Sequence, residues 1–318
     1  MAEYQSNQGW RHYWREDRLA ACVPDNADSA AAIETHWAEF FSGLPAATRV
    51  LDVATGNGVL LVWAARAARS AKRELTLTGI DLADIDPVRY LPEQQADLAG
   101  VCFVGGTAAE SLPFPKASFD VVVSQYGLEY ADLDPALSEV ARVLAPGGQL
   151  HWLAHSDDSR VIAQGRARLI DINLLLASDG PFAAMKRYVE ARTHGRRVSR
   201  ATRVLTEALR AAEAHCAANQ PATLVNELCG SILNTANQFE RYHPADVELW
   251  LEENRQRLRG QKQRTHDLLS ACLSGERVDL IEQTLGATPW SGVAISTLKA
   301  GAGGGSVGQL VRASKFVR

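Results

Sequence analysis

The segment LDVATGNGVL at residues 51–60 constrains the fold more than any other part of this chain. An apolar strand runs there into a short loop of small residues, and the loop leads into an apolar helix. Gly56 and Gly58 allow the backbone to approach a ligand where a Cβ atom would clash. The N-terminus of the following helix favours an anionic group such as a carboxylate or a phosphate. The segment therefore predicts the first strand–turn–helix unit of an α/β domain, with a ligand at the turn.

Strands and helices alternate from residue 48 to residue 155. Helices are predicted at 60–71 and at 134–148, the second with Asp134 as its N-cap and Pro135 as its first residue. Apolar or β-branched runs predict strands at 49–55, 75–82, 101–107, 119–127 and 149–155. Because strands that alternate with helices form a parallel sheet covered on both faces, we expect a doubly wound, Rossmann-like α/β fold.

The pattern changes after residue 157, and it divides the chain into four parts. Long helices are predicted at 159–178, 181–216, 221–240 and 244–273, and two closing strands at 277–286 and 290–300, which bring the mostly parallel sheet to seven strands. We therefore predict an N-terminal helical lid at 1–44, a core at 45–157 and 278–300, a helical insertion or cap at 158–277 and a flexible Gly-rich tail at 301–318.

Charge and composition exclude several classes of protein. The net charge of −4 argues against nucleic acid as a general partner, and no apolar run reaches the roughly 18 residues that a membrane span needs. The five cysteines lack metal-ligand spacing, so no metal site is predicted, and the N-terminal residues have no apolar signal region. We expect a cytoplasmic protein.

The helical insertion is more basic than the rest of the chain. Residues 158–277 hold 18 Lys/Arg against 14 Asp/Glu, and the stretch 185–203 holds seven Lys/Arg against Glu190 alone. That stretch has two interpretations, a solvated helix face or a patch for an anionic substrate. The insertion is also a candidate surface for a homodimer.

The loop after the first strand lacks the marks of two common nucleotide sites. A dinucleotide site needs a third Gly where Leu61 stands, and a phosphate loop needs a Gly-Lys-Ser/Thr sequence. The second strand ends in Asp81, where a carboxylate can bind two ribose hydroxyls; the alternative is a helix N-cap. Leu82 can press on an adenine face.

Five segments together resemble a class I S-adenosylmethionine-dependent methyltransferase, and AESLPFPKASFDVV followed by EVARVLAPGG resembles its small-molecule subgroup with an LPF signature. The segments are VLDVATGNG (50–58), LTGIDL (77–82), GTAAESLPFPKASFDVVVSQYGLEY (106–130), LSEVARVLAPGGQL (137–150) and WSGVAIS (290–296). The resemblance covers residues 45–155 and, more weakly, 278–300.

The resemblance implies S-adenosylmethionine as cofactor and a role for individual residues. Asp52 and the loop Ala54, Thr55, Gly56 and Gly58 would hold the methionine end, and Asp81 the ribose. Leu82 would lie on the adenine, Ala108 and Ala109 along its edge, and Gln125 and Tyr126 beside the methionine moiety. Two positions depart from the family pattern: Ala54 replaces the first loop Gly, and Ala108 replaces an acid that binds the adenine amine, so Thr107, Glu110 or a backbone carbonyl must serve.

Methyl transfer also needs a dry, aligned site and, for some acceptors, a base. Trp10 and Trp14 are predicted to pack a helix onto the core, and Tyr13 is the predicted cofactor contact. His155, at the C-terminal end of the strand 149–155, is the candidate catalytic base; the alternative is a structural histidine. Glu129, Tyr130 and His243 are weaker candidates.

Three functions remain open from the sequence. The first is a methyltransferase for a small-molecule acceptor, and one of the two interpretations of the basic stretch makes that acceptor anionic. The second methylates nucleic acid or protein through residues 186–203. The third is a non-catalytic module that binds the cofactor and dimerises. A dehydrogenase is disfavoured by the missing third Gly.

Overall fold

The computed structural model describes residues 10, 14, 19, 27–219, 223–287, 289–301 and 304–317. It divides into two units, one formed by Met1–Ala163 with Asp267–Arg318 and the other by Gln164–His266. No helix among the described residues is long and apolar enough to cross a membrane.

The first unit contains a seven-stranded sheet, as predicted. Its strands are β1 (Arg49–Val53), β2 (Thr76–Ile80), β3 (Cys102–Val104), β4 (Phe119–Gln125), β5 (Leu144–Ala154), β6 (Trp290–Lys299) and β7 (Ser306–Lys315). They lie in the order β3-β2-β1-β4-β5-β7-β6. β1 to β5 pair in parallel, and β7 runs antiparallel to β5 and β6. This is the mostly parallel, doubly wound sheet of a Rossmann-like fold.

The helices follow the apolar periodicity of the sequence. The first unit holds α1 (Ala27–Gly43), α2 (Val59–Ser70), α3 (Pro87–Tyr90), α4 (Gln95–Leu98), α5 (Leu133–Val143) and α11 (Gly275–Gly286). Next come α6 (Arg160–Leu176), α7 (Pro181–His194), α8 (Val198–Ala218), α9 (Thr223–Asn237) and α10 (Pro244–Ala271). The unit boundaries fall within α6 and α10.

Two apolar cores in the first unit lie on opposite faces of the sheet. Val50 and Leu51 are neighbours on β1 but belong to different clusters of buried residues, because successive side chains of a strand point to opposite faces. Trp152 is the largest buried side chain of one cluster, and Trp37 of α1 is the largest of the other. The second unit has a core of its own, which includes Phe182 and is formed without β-strands among the described residues.

The structure corrects four predictions of local structure. Residues 277–286 are not a strand but most of helix α11, and the segment 301–318 is not a loose tail because it contains β7. The predicted helix 181–216 is two helices, since Gly195 and Arg197 adopt left-handed backbone between α7 and α8. α5 begins at Leu133 after Asp132, so Asp134 is not its N-cap.

Candidate active site

A cleft of about 770 Å³ opens beyond the C-terminal ends of β1, β2 and β4. Its volume is within the range of small-molecule sites, and its position is where open α/β sheets bind ligands. Eight predicted site residues line it: Ala54, Thr55, Asp81, Leu82, Ala108, Ala109, Gln125 and Tyr126. All of its lining residues belong to the first unit.

The turn after β1 is held in shape by its own residues. Ala54, Gly56 and Gly58 all have positive φ, at 57°, 53° and 81°. Asp52 does not line the cleft; its Oδ2 accepts a 2.6 Å hydrogen bond from the Thr55 hydroxyl. Its other oxygen is buried with no hydrogen-bond partner among the described residues. Burial raises the pKa of Asp52 to about 8.

Gly56 and Gly58 are required by close packing as well as by their backbone conformation. A Cβ at Gly56 would stand 2.4 Å from the Trp14 ring, and one at Gly58 would stand 2.9 Å from the Phe103 ring. Neither glycine lines the cleft. Both therefore shape the turn and admit the rings packed against it.

Asp81 joins this turn to the end of β2. One carboxylate oxygen accepts from the Gly56 N–H and the other from the Ala83 N–H, each at 2.8 Å. Each oxygen keeps a lone pair for a further donor. Burial raises the pKa of Asp81 to about 6. The N-cap alternative does not hold, because α3 begins at Pro87 and its N-cap is Asp86.

Leu82 leaves its side chain at the surface of the cleft, where it is 49% exposed. A ligand ring can pack on an exposed apolar side chain of this kind while a polar group of the same ligand binds the buried acid beside it. Ala108 and Ala109 follow β3 and line the same cleft. These three residues and Asp81, which the resemblance predicted as nucleoside contacts, thus line one cleft.

Gln125 and Tyr126 end β4 against the turn. The Gln125 Oε1 accepts a 2.6 Å hydrogen bond from the Trp37 indole, and the Tyr126 hydroxyl donates to the Val307 carbonyl at 3.0 Å. A Cβ at the next residue, Gly127, would stand 2.4 Å from the Ala54 Cβ. The two turns therefore approach each other as closely as small residues allow.

His155 lies outside the lining of the cleft. Its ring is fully buried and stacks on the Tyr126 ring, with centroids 4.2 Å apart. Neither ring nitrogen has a hydrogen-bond partner among the described residues, and burial lowers the pKa to about 3. The ring is therefore neutral, and its position does not favour the predicted exchange of a proton with a molecule in the cleft.

Sequence reasoning missed part of the cleft wall. Asp267, Ser270, Ala271 and Arg277 line it, although they come from the segment assigned to the helical insertion. Two contacts bring them to the end of β5: the Leu273 N–H donates to the His155 carbonyl, and Ser156 and Leu273 form a β-bridge. A local sequence pattern does not predict a pairing between positions that are more than 100 residues apart.

The N-terminal aromatic residues contribute to the cleft where the structure describes them. Trp10 and Trp14 line it, with ring centroids 6.2 Å apart, and Trp14 also packs on Ala83 and Ile85. The Asn57 side chain donates to the Trp14 carbonyl at 2.8 Å. Tyr13, the predicted cofactor contact, lies outside the described residues.

Residues 51–152, which carry the turn, Asp81 and both ends of β4, match the family model described as a methyltransferase domain. The chain contains a class I S-adenosylmethionine-dependent methyltransferase domain. Two curated relatives each match about a third of the chain. A demethylmenaquinone methyltransferase of Thermus thermophilus is 38% identical over 105 residues, which are 32% of this chain and 44% of the relative. A fatty-acid O-methyltransferase of Mycolicibacterium smegmatis is 41% identical over 101 residues, 31% of this chain and 34% of the relative.

The chain thus spans less than half the length of these curated relatives. Among solved structures, a SAM-dependent methyltransferase from Aquifex aeolicus aligns with a TM-score of 0.34 at 22% identity, covering 40% of this chain and 66% of the other. The family match itself ends at Trp152, before the helical unit.

The methyltransferase domain has features that fit the cofactor of its family. Ala54 and Thr55 of the turn line the cleft, and Asp81 has acceptor capacity left for hydroxyl groups. No group of His, Cys, Asp and Glu in the described part of the chain could hold a metal ion.

Proposed function

We propose that this protein transfers the methyl group of S-adenosylmethionine to a small-molecule acceptor. Asp81 carries the proposal: it is a buried acid at the end of β2, fixed by two backbone N–H groups, with its remaining lone pairs available to ribose hydroxyls. The family match over residues 51–152 supports the same cofactor.

The remaining cofactor contacts are those that the family resemblance implies. The turn Ala54–Gly58, shaped by Asp52, holds the methionine end, with Gln125 and Tyr126 beside it. Leu82 lies on the adenine, and Ala108 and Ala109 border it. When bound, the cofactor supplies a methyl group on a positively charged sulfur, and these residues hold it in line with the acceptor.

The size of the cleft supports a small acceptor. The cleft has a volume of about 770 Å³. Its lining includes Tyr130, Asp132 and Pro135 in addition to the predicted cofactor contacts. Trp10 and Trp14 add apolar surface that excludes water, which strengthens the electrostatic effects on which methyl transfer depends. Roles for residues 158–277 as a lid or a dimer surface, and a cytoplasmic location, stay predictions.

Transfer of labelled methyl groups to separated cell fractions tests the proposal. The protein is incubated with methyl-labelled S-adenosylmethionine and a small-molecule filtrate, an RNA fraction or a protein fraction from the same cells. We expect label in the filtrate and release of S-adenosylhomocysteine. Cofactor binding without transfer to any fraction would favour the non-catalytic module.

A macromolecular acceptor is the second candidate, and one observation favours it. Residues of the basic stretch line a groove of about 900 Å³ in the helical unit, including Arg187, Arg196, Arg197 and Arg200 with the single acid Glu190. A groove of this charge is typical of phosphate binding. Because phosphate contacts release counterions, transfer to RNA that falls steeply with added salt would favour this candidate over the first.

A further inference from the structure

The cleft has a second wall that the proposed cofactor contacts leave unused. The 3₁₀ turn Leu128–Tyr130 forms one part of it, and residues of α10 and α11 form the other. Glu129, Asp132, Asp267 and Arg277 are the charged residues of this wall. Three acids thus face the acceptor side of the cleft together with one base.

Arg277 binds backbone carbonyl groups through two of its N–H groups. Its guanidinium donates to the Ser270 carbonyl at 3.0 Å and to the Glu129 carbonyl at 2.9 Å. Arg277 is also the only Lys, Arg or His among the described residues that line the cleft. An anionic acceptor would therefore meet three carboxylates and a single arginine, two of whose N–H groups are already bound to carbonyl groups.

Glu129 is held in a fixed position at this wall. Its side chain is 1% exposed, and its two oxygens accept hydrogen bonds from the Trp152 indole at 3.0 Å and from the His155 N–H at 2.8 Å. A carboxylate has about four acceptor positions. Each oxygen therefore keeps capacity for a donor that enters the cleft.

The groups packed around Glu129 leave it able to exchange a proton near neutral pH. Burial raises its pKa to about 7, while the nearby Arg277 and the hydrogen bonds act in the opposite direction. The His155 ring of β5 is neutral, since burial lowers its pKa to about 3. The other ionisable groups on this side of the cleft are Tyr130 on the same turn, Asp132, Asp267 and Glu110, which accepts a hydrogen bond from the Asp132 N–H.

Aromatic rings line the cleft alongside these acids. The Trp10 and Tyr130 ring centroids are 6.1 Å apart in an edge-to-face arrangement, and Trp14 stacks on Trp10. Aromatic faces attract cations, and the effect grows when water is excluded. Rings and carboxylates together are the chemistry that recognises an ammonium group.

We propose that the acceptor is a cationic amine and that Glu129 is the catalytic residue that binds its ammonium group and accepts one proton from it. This proposal rests on the proposed function of the same cleft. The N–H bond breaks, its electron pair stays on nitrogen, and the proton passes to the Glu129 carboxylate. The nitrogen lone pair then forms the bond to the methyl carbon as the carbon–sulfur bond breaks, with that pair leaving on the thioether sulfur.

Isosteric acceptors test the charge preference on the unmodified protein. The probes are 2-phenylethylamine, 2-phenylethanol and 3-phenylpropanoate, each with saturating S-adenosylmethionine, and the readout is S-adenosylhomocysteine release. We expect kcat/KM for the amine to exceed the other two by about 100-fold, since a buried site rejects a group that leaves its acids unpaired. Equal or greater transfer to the alcohol or the carboxylate overturns the amine proposal, as does bound cofactor with no turnover of the amine. Failure to bind the cofactor overturns the proposed function instead.

Glu129→Gln tests the proton transfer, with Glu282→Gln on the exposed face of α11 as matched control. We expect the Glu129 variant to lose about 100-fold in kcat for the amine, the usual size of a general-base contribution. In the unmodified protein and in the control, we expect kcat/KM to rise with pH around pH 7. In the Glu129 variant, this rise should be absent. Unchanged cofactor affinity and melting temperature establish that the variant is folded. A variant that keeps both the rate and the pH rise overturns the role of Glu129.

Discussion

Asp81 combines a structural and a binding role in one side chain. Its carboxylate joins the turn after β1 to the turn after β2 through the Gly56 and Ala83 N–H groups. Those bonds fix the carboxylate before any ligand arrives, so little conformational freedom remains to be lost on binding.

Replacing Asp81 tests this residue directly. Asp81→Ala removes the acceptors for the ribose hydroxyls, and we expect the Kd for S-adenosylmethionine to rise at least about tenfold, or about 1.4 kcal/mol. Calorimetric titration measures it. Asp84→Ala, at an exposed neighbouring position, is the control and should bind normally. An unchanged Kd in the Asp81 variant would remove Asp81 from the ribose site.

Single residues differ in how much the sequence reveals about them. Asp81 and the Ala54–Gly58 turn could be predicted, because each follows directly from a strand end and its neighbours. The contact between Arg277 and the Glu129 carbonyl joins positions 148 residues apart, and no spacing rule relates them. His155 was placed correctly at the end of a strand, but its burial behind Tyr126 depends on tertiary packing.

Among the elements, the predicted strand at 277–286 was wrong and β7 was missed, whereas the predicted strand at 290–300 is β6. Val278, Ile281 and Leu285 follow helical spacing, and they form the buried side of α11. In residues 277–286, the alternation of apolar residues that predicted a strand was a weaker signal than this helical spacing. β7 was missed because its segment begins among glycines, although Val311 and Ala313 are buried against the sheet. The strands β1 to β5 were predictable, since each is an apolar or β-branched run that alternates with helices along the chain.

β7 is the element whose removal we expect to destabilise the protein most. It lies between β5 and β6, so truncation after Gly301 leaves β5 with an open edge and β6 without a partner. We expect this truncated protein to be insoluble or to lose its cooperative thermal transition, measured by circular dichroism. Removing only Val317 and Arg318, beyond the strand, should leave the transition intact. A folded truncated protein would mean that β7 contributes little to the sheet.

For the molecule as a whole, the pH dependence of stability is governed by three buried acids of the first unit. Burial raises the pKa of Asp52, Asp81 and Glu129 to about 8, 6 and 7. In the unfolded chain these groups ionise near pH 4, so the unfolded state binds fewer protons than the folded state between pH 4 and 8. Their contribution to the free energy of unfolding is therefore full below pH 4 and is lost as the pH rises through the folded pKa values.

Asp52→Asn isolates one of these contributions. The variant carries no ionisable group at this position, so we expect its stability relative to the unmodified protein to increase by about 1 kcal/mol per pH unit between pH 5 and 8. Urea unfolding at several pH values measures the difference. The control is Asp120→Asn, because the Arg49 hydrogen bond lowers the pKa of Asp120 and its effect is constant over this range. A difference for Asp52→Asn that does not change with pH would contradict a raised pKa.

The position of S-adenosylhomocysteine in a crystal structure of this protein tests the central claim most directly. We expect the ribose hydroxyls within hydrogen-bond distance of Asp81, the adenine on Leu82, and the amino-acid end at the Ala54–Gly58 turn. The sulfur should then face the wall formed by Glu129. A nucleoside bound elsewhere, or a cleft that stays empty at saturating ligand, would contradict the account.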